Sequence, residues 1–193
     1  VFSRRNCEKM AQQLTCNLTT HDERKEIEKI YNSRMREHDK LYGKTPQFLL
    51  VKKLLDKGVC FHHAKLIPVL KEIIEILFSK NLIKIMFVTE TFAVGLNMPT
   101  RTVVFTSLIK PTNTGKRLLL PHEYKQMSGR AGRRGKDTQG YVVILPIYSV
   151  PSTAEIKSVL LGNLKNIESK MKINYRLILK LVSTHTDFDE FIS

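Results

Sequence analysis

The chain has 193 residues, 42% of them hydrophobic, and carries 32 Lys and Arg against 18 Asp and Glu for a net charge of +14. That length suits one globular domain, or one domain with an appendage. No apolar run approaches the ~20 residues a membrane-spanning helix needs, so no membrane role is expected. The positive excess points to a polyanion, nucleic acid first, with a solvated basic face as the plainer alternative.

Val1-Phe2 reads as the end of a strand, so the sequence is expected to continue upstream of it. Helical periodicity follows over about Arg5–Leu14 and Asp22–Leu41. Thr45-Pro46 opens another helix that Gly58 ends, and Val59–His62 reads as a buried strand. Pro68–Lys80 is an amphipathic helix with one broad apolar stripe. Ile83–Val88 and Thr102–Thr106 read as apolar strands, with an exposed basic loop around Gly115 after the second. A helix from Pro121 to about Ala131 and a strand over Tyr141–Leu145 complete the alternation. Strands alternating with helices predict an α/β fold, a parallel sheet flanked by helices on both faces. Beyond Pro146 the pattern turns helical, over Thr153–Leu161 and Asn174–Val182. The cysteines, Cys7, Cys16 and Cys60, are odd in number and lack zinc-ligand spacing, which fits reduced thiols in the cytosol or nucleus.

Three segments carry chemistry. In Gln126-Met-Ser-Gly-Arg-Ala-Gly-Arg-Arg-Gly135 a helix runs into a glycine-punctuated turn. Gly129 and Gly132 each weaken a helix by about 1 kcal/mol relative to alanine, so they belong where backbone must approach a ligand or another domain. Arg130 and Arg133 stand three apart, so they are expected to share one helical face, and paired guanidiniums suit phosphate oxygens. A solvated basic helix end is the plain alternative. In Phe87–Pro99 a strand exit offers Thr89 and Thr91, whose hydroxyls can donate to phosphate oxygens or simply cap a turn. In Gly58–Pro68 the adjacent His62 and His63 face opposite sides of a strand and cannot chelate one ion, so no metal site is expected.

The first segment resembles motif VI of superfamily 2 helicases, and its Arg-Arg-Gly ending resembles the exosome-linked RNA helicases of the superkiller type and their nuclear relatives. Phe87–Pro99 is similar to motif V of the same family, Gly58–Pro68 to its His-His-x-Gly-Leu-Leu-Pro stretch, and Val1–Ala11 to the second half of motif IV. The resemblance implies a RecA-like second motor lobe over 1–148 and a helical extension over 149–193 that leads to a winged-helix domain. It implies arginine fingers at Arg130 and Arg133, helped by Gln126, with Gly95 and Asn97 also near the ATP. It places RNA backbone at Ser3, Arg4, His63, Ala64, Lys65, Thr89 and Thr91. Lys65 stands where the family has glycine, so it adds a phosphate contact or hinders close approach. For Ser3 and Arg4 a structural strand-to-helix turn remains equally open.

The implied function is that of a lobe of an ATP-dependent 3'–5' RNA helicase feeding RNA to exosome decay, using ATP and Mg2+ held mainly by a first lobe. The implied partners are single-stranded RNA, that first RecA lobe and exosome cofactors. No phosphate-cradling loop occurs: Gly43-Lys44-Thr45 has His38 where the first glycine belongs, and no DExH element ends a strand. The chain alone is therefore expected not to hydrolyse ATP. A non-catalytic RNA-binding module and a lobe of a related DNA helicase are the alternatives. Leu119–Tyr124 leans toward the cytoplasmic branch and Gln126-Met-Ser128 toward the nuclear one, leaving localisation open.

Overall fold

The structure, a computed structural model, describes residues 1–36, 45–90, 98–147, 149–163 and 175–184. Thr91, Gly95 and Asn97 lie outside the described residues, as do Gly43, Lys44 and the end of the helix expected to reach Leu41. Helix α1 (Arg4–Gln13) begins at Ser3, whose hydroxyl accepts a hydrogen bond from the Asn6 amide. Helix α2 (His21–Met35) opens with a reciprocal cap: Thr20 accepts from the Glu23 amide and Glu23 from the Thr20 amide. Helix α3 (Pro46–Leu55) carries proline in its first turn, where the missing N–H costs nothing. Gly58, at φ +73°, then turns the chain into β1 (Val59–His62), followed by α4 (Pro68–Ser79) and β2 (Ile85–Val88).

β1 and β2 pair in parallel, Val59 against Ile85 through His62 against Val88. All four β1 residues are buried, because α1 and α3 both pack on it along with α4. This explains why Val59–Phe61 reads as an unbroken apolar run instead of an alternating one. The main core joins Phe48, Phe61, Ile73, Ile74 and Leu77 with Cys7 and Ile27.

The second parallel pair is β3 (Thr102–Phe105) with β6 (Tyr141–Ile144). Between them come β4 (Ile109–Thr112), β5 (Gly115–Leu118) and α5 (Pro121–Ser128). β4 and β5 form an antiparallel hairpin where sequence predicts a basic loop. Pro111 within β4 and the scarcity of apolar alternation hide it, since proline demotes a run to an edge strand. A smaller core of Phe105, Leu108, Leu119 and Val159 lies here, the last supplied by α6 (Thr153–Leu161).

Parallel strands flanked by helices agree with the α/β expectation, and among the described residues these strands form two pairs. β2 and β3 line an apolar cavity of about 580 Å³, which leaves Ile85 and Val104 partly exposed. The first compact unit runs from Val1 to Gly162, so α6 belongs with it and not with a helical extension beginning at residue 149. The second unit, Asn163–Ser193, contains α7 (Tyr175–Ser183), whose Tyr175, Leu179 and Val182 are exposed.

Candidate nucleotide and nucleic-acid sites

The parallel register carries the ends of β1 and β2 to the same edge, and the Thr89 amide donates to the His62 carbonyl at 3.3 Å. The chain thus leaves β1 through His63, Ala64 and Lys65 beside Thr89. Ala64 and Lys65 are exposed at this edge, whereas Thr89 is largely buried. Val1 and Phe2 line the same cavity as Thr89 and Glu90, so the start of α1, with exposed Arg4, comes to this end too.

His63 does not reach that surface. It is 2% exposed, its Nε2 lies 2.9 Å from Glu8 Oε1, and its ring stacks on Phe61. Its Nδ1 is buried without a hydrogen-bond partner. Its visible work is to tie α1 to the end of β1. His62 turns to the other face, its Nε2 3.0 Å from Glu75 Oε1 on α4. Burial lowers the His62 pKa, and the Glu75 carboxylate only partly opposes this.

The Arg130 segment is built differently from the expected helix. α5 stops at Ser128, the Gly129 amide closing it onto the Lys125 carbonyl. Thr100, two residues before β3, then clamps the chain on both sides of Ala131: its amide donates to the Arg130 carbonyl at 2.9 Å, and its carbonyl accepts from the Gly132 amide at 2.7 Å. Gly132 has φ +89°, left-handed backbone that glycine adopts without penalty. Arg130 and Arg133 therefore do not share a helical face; they flank a clamped glycine turn.

The close approach these glycines serve is internal. A Cβ on Gly140 would stand 2.6 Å from the carbonyl carbon and oxygen of Ala131 and from the Gly132 nitrogen. Gly140 immediately precedes β6, so the turn packs backbone to backbone against the strand's entry. Gln126 is exposed on α5, one turn ahead of Arg130.

Arg133 is held by named partners. Its Nε and Nη2 donate to Asp137 Oδ2 and Oδ1, both at 2.8 Å, and its Nη1 donates to Asn81 Oδ1 at 2.6 Å. Asp137 Oδ2 also accepts the Arg133 backbone amide at 2.9 Å. The guanidinium holds the Asp137 carboxyl down to about 2. Asp137, Asn81 and Gly140 escaped the sequence reading, although an acid four residues after an arginine is a legible sign of a pair.

A second ion cluster fixes α5 at its other end. Glu123 accepts the Leu120 amide at 2.9 Å, two Arg117 donors at 2.8 Å each, and Lys110 Nζ at 2.8 Å. Lys110 also reaches Glu90 Oε2 at 2.7 Å. The Arg117 bond, helped by Lys110, holds the Glu123 carboxyl far below the usual carboxylate range. Burial works against the charge on Lys110, but Glu123 and Glu90 outweigh it and raise its pKa. One lysine thus ties the end of β2 to the start of α5.

Parallel strand pairs flanked by helices and a clamped arginine turn make up an α/β domain, and residues 8–135 match the helicase conserved C-terminal domain. The chain belongs to that family, whose fold is RecA-like. Within it the likeness is to the superkiller and exosome helicases. The chain is 42% identical over 183 residues to the antiviral helicase SKI2 of Saccharomyces cerevisiae. It is 43% identical over 185 residues both to superkiller complex protein 2 of Homo sapiens and to the exosome RNA helicase MTR4 of Mus musculus. Each alignment covers 94% of this chain, which spans only 14, 15 and 17% of those relatives' lengths.

Proposed function

We propose that this chain works as the second motor lobe of an ATP-dependent 3'–5' RNA helicase that feeds RNA for exosome decay. The observation that carries the reading is the clamped turn presenting Arg130 and Arg133 from a lobe with no phosphate-cradling loop in its sequence. Such a lobe completes a nucleotide site held elsewhere. The first lobe of the same protein would supply the loop and the Mg2+, and ATP would lie between the lobes. Arg133 fits a phosphate chemically: three of the five guanidinium N–H groups are engaged, leaving two, the number a bidentate phosphate contact uses. Gln126, Gly95 and Asn97 would complete the nucleotide side.

Single-stranded RNA would run along the carboxyl edge of β1 and β2, its backbone meeting Ser3, Arg4, Ala64, Lys65, Thr89 and Thr91. His63 would contribute by holding α1 against that edge. Exosome cofactors are the expected protein partners, in the cytosol or nucleus, and the helical residues after α6 would lead to a winged-helix domain.

The test is ATP turnover by the full-length protein with and without RNA. Arg130→Ala or Arg133→Ala is expected to lower RNA-stimulated turnover by about 10³–10⁵-fold, the range for arginine fingers. RNA binding without nucleotide should stay intact. Turnover at the wild-type rate in both variants would overturn the reading. Tighter binding to single-stranded DNA than to RNA would favour the DNA-helicase alternative.

A further inference from the structure

We propose that Asp137 and Asn81 are positioning residues for Arg133, setting its guanidinium in the one orientation that presents its two remaining N–H groups to a nucleotide phosphate. The proposal rests on the finger reading above and adds two residues that it does not contain.

Three observations converge. First, the Asp137 carboxylate takes the Nε side of the guanidinium with both oxygens and takes the Arg133 backbone amide as well. One carboxylate therefore fixes the base and the head of the same side chain, which removes most of its rotamer freedom. Arginine's long side chain has many rotamers, and a finger that must order itself at each turnover loses rate.

Second, Asn81 holds the other terminal nitrogen from a rigid place. It closes α4 in left-handed backbone at φ 58°, the only described non-glycine residue with positive φ. Its own amide donates to the Phe78 carbonyl at 2.9 Å, and the Leu82 amide donates to the Leu77 carbonyl at 3.0 Å. The side-chain oxygen is thus carried on a hydrogen-bonded helix end. Third, the Asp137 side chain is only 8% exposed and that of Arg133 is 28% exposed. The Asp137 carboxylate is largely buried while the Arg133 side chain stays partly exposed. That suits a presented side chain better than one stowed away.

An ordinary loop-closing ion pair would explain Asp137 alone. It would not explain why Asn81, fifty-two residues away on another element, grips the same guanidinium.

The experiment uses the full-length protein, with RNA-stimulated kcat and KM for ATP measured for Asp137→Ala, Asp137→Asn, Asn81→Gly and Arg133→Ala, and for the double variant Arg133→Ala/Asp137→Ala. Asn81→Gly keeps the left-handed backbone and removes only the amide. Asp137→Asn keeps a neutral acceptor for the backbone N–H, so both should fold. A finger displaced by about 1 Å loses on the order of 10²-fold in rate. Asp137→Ala should therefore lose about 10–100-fold in kcat and Asn81→Gly several-fold, with Asp137→Asn falling between wild type and Asp137→Ala. The double variant should match Arg133→Ala within about twofold, since residues acting as one unit are non-additive.

Wild-type kcat in both Asp137→Ala and Asn81→Gly, with Arg133→Ala inactive, would overturn the positioning inference and leave the finger reading standing. Losses that multiply in the double variant would overturn it too, by showing a general structural effect. Wild-type turnover in Arg133→Ala would sink the finger reading and this inference together.

Discussion

Gly140→Ala puts the packing of the arginine turn to a direct test. The added methyl would stand 2.6 Å from the carbonyl carbon and oxygen of Ala131 and from the nitrogen of Gly132, whereas ordinary contact begins at 3.4 Å. Closing that gap means parting two backbones by about 0.8 Å. Neither backbone is loose: the Gly132 amide donates to Thr100 at 2.7 Å, and the Tyr141 amide donates to Arg101 at 3.0 Å. Overpacking of this kind costs about 1–3 kcal/mol. In a lobe of this size each kcal/mol moves Tm by about 2–4 °C, so the lobe should melt roughly 2–12 °C lower. The displaced segment lies between Arg130 and Arg133, so ATP turnover by the full-length protein should fall by on the order of 10²-fold. Gly135→Ala is the comparison, because the space around its missing Cβ is open although its φ is +75°. It should cost about 1–2 kcal/mol of backbone strain without moving the turn. A Gly140→Ala lobe that melts within a degree of wild type, with unchanged turnover, would refute the packing account.

Phe48 is fully buried in the main core, so Phe48→Ala should destabilise the lobe by about 3–5 kcal/mol in denaturant unfolding. Glu123→Gln should cost about 1–3 kcal/mol at pH 7, since it leaves Arg117 and Lys110 short of a carboxylate. Because the folded pKa of Glu123 is depressed, that stability is present above the ordinary carboxylate value near 4.3 and is lost as pH falls below it. Thermal melts at pH 7 and pH 3 should therefore show the gap between wild type and variant narrowing; a constant gap would count against the ion cluster. Lys65→Ala should weaken RNA binding uniformly across sequences and reduce the slope of log K against log salt by about 0.7. An unchanged slope would remove Lys65 from the RNA path.

Helix starts and stops were legible because they are local. Thr153–Leu161 and the Pro68 helix follow from caps and periodicity alone, within a residue. The hairpin was not legible, since its pairing depends on where Arg117 and Lys110 find Glu123, and no window of sequence contains that. The arginine motif was legible as chemistry but not as geometry. Periodicity extends α5 through Ala131, and only the Thr100 clamp and the approach of Gly140 show why the helix ends at Ser128. The family resemblance placed His63 on the RNA backbone, whereas Glu8 of α1 holds it in the interior. In each case the missing information is a contact between segments far apart in the chain.

These long-range contacts place α5 between the two candidate sites. Its eight residues span ~12 Å at ~1.5 Å per residue, close to the ~13 Å of the four-residue β2. At its start Glu123 is joined through Lys110 to Glu90, just past the carboxyl end of β2. After its end Arg133 is joined to Asn81, just before the amino end of β2. If α5 carries a displacement from the Thr89 edge to the arginine turn, Lys110 is the first link. Lys110→Ala removes that link without touching Arg130, Arg133 or the exposed RNA-edge residues. It should lower the stimulation of ATP turnover by RNA several-fold while leaving basal turnover and RNA affinity near wild type. If the ratio of stimulated to basal turnover is unchanged in a variant that melts normally, α5 is not the path between the two ends.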